Sequence, residues 1–93
     1  MRERWWGASG RRVPELAVEG DEAVPVEEAL VLDRADDLER LGEAFGAGTP
    51  VVVRASSPAQ IKAALARPEV AAVLIPADRP ELLDVDLTEL TYG

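Results

Sequence analysis

The sequence predicts a small single-domain α/β fold: a mostly parallel sheet of three or four strands in a β-α-β-α-β core, with two main helices and an N-terminal arm. Three observations predict it. The stretch Thr49 to Pro76, TPVVVRASSPAQIKAALARPEVAAVLIP, reads as strand, helix, strand with a turn signal at each joint, the pattern of a parallel βαβ unit. The segment before it, Ala29 to Gly46, repeats that texture as a short apolar run followed by a helical stripe. The chain has 93 residues, 47% apolar and 30% charged, which suits one domain with one core.

Residues 1–12, MRERWWGASGRR, form a basic arm carrying Trp5 and Trp6, and residues 13–93 form the domain. Two readings of the arm are open. Its tryptophans and arginines dock on a partner, as such residues do at binding hot spots. Alternatively the arm folds back over exposed sheet, which spares the chain two free tryptophans. From Val13 to Val26 the apolar residues alternate in part around a Gly20-Asp21 turn. Pro14 and Pro25 restrict this segment to an edge strand or hairpin.

Ala29 to Leu32 reads as a strand. In the helix that follows, Asp33 is the cap, Asp36 and Asp37 face the positive end of the dipole, and Leu38, Leu41 and Phe45 form the buried stripe. Gly46 is its expected stop. One long helix over 26–46 is the rival reading; strand then helix is preferred because it repeats the unit that follows. Gly46-Ala47-Gly48 leaves a helix and enters a strand, the reverse of a phosphate-cradling loop. Next, Val51-Val52-Val53 is a β-branched strand, Ser57 to Gln60 has capping-box spacing with Pro58 at the first helical position, and Pro68 stops the helix. Val70 to Ile75 is the third strand. Beyond Pro76 we expect a loop, a turn of helix at Glu81 to Leu83, and a final strand within Val85 to Tyr92.

Composition narrows function by exclusion. The chain holds no Cys and no His, so disulfides, thiolate chemistry and the commonest general base are out of reach. Lys62 is the only lysine, and the acids show no calcium-loop spacing. No catalytic residue, metal site or cofactor is assigned. The N-terminal residues lack the apolar core of a secretory signal, and no run approaches a membrane span, so a cytoplasmic location is the expectation. Net charge is −8, divided as +3 over residues 1–12 and −11 over residues 13–93. The acidic body opposes binding to nucleic acid and to anionic membranes.

Near the end, Leu82-Leu83-Asp84-Val85-Asp86-Leu87-Thr88 is similar to the Asp-x-Asp-x-Thr signature of haloacid-dehalogenase-type phosphatases. In that family the first Asp is a nucleophile, the second an acid/base, and magnesium sits between them. Here two apolar residues lead in and five residues follow Thr88, so the rest of such a domain has no counterpart and the resemblance assigns no site.

Fold geometry points elsewhere. Open parallel sheets bind ligands beyond the carboxyl ends of their strands. That rim carries Asp33, Arg54, Ser56, Ser57 and Arg79, together with Asp78. Arg54, the two hydroxyls and the free amides of the helix are candidates for holding a small anion or phosphate. The competing reading is structural: Ser57 caps its helix, and Arg54 pairs with Asp33 or Asp78.

The strands themselves bear on partners. Val51–Val53 and Val70–Ile75 are apolar without alternation, the mark of strands covered on both faces. Sequential right-handed crossovers put both helices on one side. The other side then needs a cover: a 2-1-3 strand order, the tryptophan arm, or a second chain as in a homodimer. We therefore expect a non-catalytic, acidic interaction or regulatory module, self-associating or bound to a protein partner. A small-anion or phosphate-binding domain, with weak enzymatic activity at most, is the alternative. A third reading has the acidic body mimic nucleic acid.

Overall fold

The computed structural model describes residues 3–8, 10–33 and 38–84. It shows the α/β fold that the sequence predicts. An antiparallel pair, β1 (Glu3–Trp5) and β2 (Arg12–Pro14), leads into β3 (Leu16–Val18), and a crossing segment reaches β4 (Leu30–Leu32). There follow α1 (Leu38–Ala47), β5 (Val51–Arg54), α2 (Pro58–Leu65) and β6 (Val70–Ile75), with 3-10 turns at Val26–Glu28 and Pro80–Asp84. Strands β3 to β6 form one parallel sheet in the order β3-β6-β5-β4. The unit β4-α1-β5-α2-β6 is thus laid down in sequence, and β3 closes the far edge.

Both helices lie on one face of this sheet. Leu41 and Ala44 of α1 join Ile61, Ala64 and Leu65 of α2 in a core with Leu32, Val51, Val53, Val70, Val73 and Ile75. Sequential neighbours joined by right-handed crossovers give this arrangement. The opposite face carries Val52, Ala71, Ala72, Leu74 and Ala17, and it is closed from within the chain by Trp6, Val13 and Val24. Trp6 is 1% exposed. The two adjacent alanines of β6, at a register shift between Val51 and Val52 of β5, leave depth beneath the indole. The chain from β3 to β4 spans this same face, so Val26 and Ala29 pack there too.

The tryptophan segment therefore supplies the second cover. The boundary expected at residue 12 falls inside β2, and the residues on either side of it belong to one hairpin. Of the edge strand or hairpin expected between Val13 and Val26, the structure has the edge strand, β3, and Gly20-Asp21 forms a turn in which the Asp21 N–H donates to the Val18 carbonyl at 3.0 Å. Val24 leaves it as core rather than strand.

Local signals set most boundaries. The Ser57 hydroxyl accepts from the Gln60 N–H at 3.2 Å and starts α2. At the other helix the expected stop moves by two residues. Gly48, at φ +75°, is the C′ residue, because Thr49 N–H reaches the Ala44 carbonyl at 2.8 Å and Gly48 N–H the Phe45 carbonyl at 3.1 Å. These are the paired bonds of a Schellman ending. Phe45, expected in the buried stripe, is 64% exposed; Leu41 and Ala44 already face the core, and Phe45 turns away from them. The strand-then-helix reading of 26–46 matches β4 and α1. The expected roles of Asp36 and Asp37, the side chain of Leu38, and the final strand at 85–92 lie outside the described residues.

At the hairpin turn the chain crosses the α1–β5 connection closely. Gly7 has φ +56°, and a Cβ there would lie 2.8 Å from Pro50 Cδ and closer still to the Gly48 carbonyl oxygen. Ala8 N–H donates to that same carbonyl at 3.1 Å. The crossing needs glycine for both backbone and space.

The two tryptophans should consequently respond very differently to truncation. Trp6→Ala is expected to cost about 3–5 kcal/mol and to expose apolar dye-binding surface. Trp5→Ala, at a 60% exposed position, should stay within about 0.5 kcal/mol. Urea unfolding of the two variants measures this contrast; equal losses would contradict the buried-cover assignment.

Candidate functional site

The sheet has two ends, and the chemistry divides between them. At the carboxyl end, Arg54 closes β5 and donates from Nε to Glu19 Oε1 at 2.7 Å. Glu19 follows β3, which β6 separates from β5, so this bond straps the rim across a strand. The Glu19 hydrogen bond and charge hold the Arg54 guanidinium above its ordinary value, and the Asp33 charge adds to them. The partner expected from sequence was Asp33 or Asp78. Sheet order decides for Glu19, because β3 lies beside β6 at this end.

The remaining rim groups are engaged in the same way. Gln60 Oε1 accepts from the Ser56 amide at 2.9 Å and lies 3.1 Å from the Ser56 hydroxyl. Ser57 caps α2. Arg79 donates to Glu81 at 2.6 Å, two residues on, in the first turn of the 3-10 helix that follows it, and the Glu81 hydrogen bond and charge raise the guanidinium from its ordinary value. The structure thus places Asp33 in the electrostatic reach of Arg54, and gives each cation and hydroxyl of the rim a protein partner.

At the amino end lies a half-open groove of about 830 Å³. Its walls come from three places: β1 and β2 with Glu3, Trp5 and Arg12; the α1–β5 connection with Phe45, Gly48 and Thr49; and the α2–β6 connection with Pro68, Glu69 and Val70. Trp5 and Phe45 are two of the large apolar residues that the described surface leaves exposed. Of the two tryptophans considered for partner contact, Trp5 is therefore available and Trp6 is consumed by the core. Alternation along β1 sorts them: Glu3 and Trp5 face out and Arg4 faces in.

Arg4 builds the groove floor. Its Nη1 donates to the Arg67 carbonyl at 3.1 Å and to the Val70 carbonyl at 2.9 Å, and its Nη2 to the Leu65 carbonyl. Its Nε lies 3.2 Å from Glu15 Oε2 in a buried ion pair with side chains 13% and 3% exposed. One guanidinium therefore satisfies carbonyls at the end of α2, where a helix leaves acceptors open, and neutralises the buried Glu15 (2% exposed). It fastens the hairpin to the α2–β6 corner. Sequence reasoning missed both residues. The available signal was a lone acid within the apolar run Val13-Pro14-Glu15-Leu16-Ala17-Val18, whose cation is distant in sequence.

No family model matches the chain, and neither a curated protein nor a solved structure is significantly similar to it.

Removing Arg4 leaves a buried carboxylate without its cation. Arg4→Met should therefore destabilise the fold by about 3–5 kcal/mol, and Arg4→Met combined with Glu15→Leu should recover part of that loss. Arg4→Lys should rescue poorly, because an ammonium lacks the fork that reaches several carbonyls at once. Chemical unfolding of the three variants checks this, and a double variant no better than Arg4→Met would contradict the pairing.

Proposed function

We propose that this chain is a non-catalytic interaction module that binds a protein partner through the groove at the amino end of its sheet. The observation that carries the reading is the pair of exposed aromatic residues, Trp5 and Phe45, set in the walls of one groove. Exposed apolar side chains that share a concavity are a partner-facing feature, and tryptophan is prominent among binding hot spots. Their placement is built in: β1 alternation exposes Trp5, and the helix stripe already filled by Leu41 and Ala44 turns Phe45 outward.

Two further points support it. The chain has no His and no Cys, and its rim hydroxyls and arginines are held by their own neighbours. The second sheet face, for which a second copy was one expected cover, is closed by Trp6, Val13 and Val24 of the same chain, which leaves the groove as the surface offered to a partner. A different protein is the preferred partner. Among the described residues no helix is long and apolar enough to cross a membrane.

Affinity capture from the native source, with three baits, tests the reading. The wild-type chain and Arg54→Ala should retain the same protein, and the Trp5→Ala/Phe45→Ala double variant should lose it. Retention by the double variant with loss by Arg54→Ala would transfer the function to the carboxyl-end rim. A partner that proves to be the chain itself would restore self-association.

A further inference from the structure

We infer that the groove takes a partner segment in which an apolar side chain stands next to a lysine or arginine. This rests on reading the groove as the partner surface, and it adds the chemistry of the occupant. The apolar half follows from Trp5 and Phe45. The cationic half follows from the charges around them. Glu69, at the α2–β6 corner, turns one carboxylate oxygen into the wall, where it is buried without a hydrogen-bond partner. Glu3 is exposed on the opposing wall. Among the described residues neither acid has an ion-pair partner.

The arginines of the groove do not answer this need. Arg4 is committed to Glu15 and to the carbonyls of Leu65, Arg67 and Val70. Arg12 lies over the Trp5 ring, 5.1 Å from its centroid, in a cation–π contact. With Arg4 and Glu15 cancelling, two carboxylates face one guanidinium, on a chain of net charge −8. Local and overall fields both draw a cation toward the site. A carboxylate already part-removed from water gains more from an incoming cation than one in bulk solvent. The volume, about 830 Å³, exceeds one side chain, and its open side would leave a small ligand poorly enclosed. A short stretch of chain suits it better.

The test is selection from a display library of random short peptides against the full chain. Wild type should enrich peptides that place Lys or Arg beside Leu, Phe or Trp. For a selected peptide, Glu69→Gln should weaken binding about tenfold or more, the size expected for a charge-assisted contact, and Phe45→Ala should abolish it. Circular dichroism confirms that each variant is folded, and Arg54→Ala should bind as wild type. Enriched peptides without cationic preference, or binding by the Glu3→Gln and Glu69→Gln variants equal to that of wild type, would overturn the cationic half while the groove stands. Peptides that bind Trp5→Ala and Phe45→Ala as well as wild type would overturn the groove itself. Failure to enrich any sequence would also overturn the inference.

Discussion

Two strands that are apolar on both faces must be covered twice, and the second cover is the constraint on which the rest of this structure depends. Strands β5 and β6 contribute Val51, Val53, Val70, Val73 and Ile75 to the helix side and Val52, Ala71, Ala72 and Leu74 to the other. Helices α1 and α2 are tied to one side by their sequential connections. The second face falls to whatever precedes β3 and whatever bridges β3 to β4. Trp6 supplies the volume and Val13 and Val24 extend it. Burying an indole over small residues yields roughly 1.5–3 kcal/mol or more, a large share of the margin of a domain this size.

That cover explains features that otherwise look unrelated. A hairpin laid on a sheet must also be fixed at its ends. Arg4 fixes one end by reaching the carbonyls past α2 and the buried Glu15. The glycine turn fixes the other against Gly48 and Pro50. The groove is a by-product of this docking. It is the seam where the hairpin meets two helix-to-strand connections, with the outward residues of each element left along its lips. Trp5 stands there because Trp6 next to it is needed inside.

Much of the fold was legible in the sequence because its signals are local. Ser57, Pro58 and Gln60 mark the start of α2 within four residues, and the β-branched run of β5 needs no distant context. The absence of alternation in β5 and β6 even posed the correct question about a second cover. What escaped was long-range. Nothing local tells Trp5 from Trp6, since the choice depends on the pairing register of β1 with β2. The partner of Arg54 depends on the sheet order that brings β3 beside β6. Glu15 and Arg4 are eleven residues apart and meet above a third element. The rule that parallel sheets bind at carboxyl ends directed attention to Arg54, Ser56, Ser57, Asp33 and Arg79, whereas the exposed aromatics gather at the amino end. Phe45 followed the helical period in sequence, yet Leu41 and Ala44 had already filled the face it was assigned to.

The most direct measurement of the central claim uses the two tryptophans as their own probes. In a Trp5→Phe variant, Trp6 is the single indole. A buried Trp6 emits at shorter wavelength than a solvated indole and is strongly shielded from acrylamide, and both properties should be lost together on unfolding in urea. Solvent-like emission and free quenching of Trp6 in the folded protein would show that the N-terminal segment does not close the sheet.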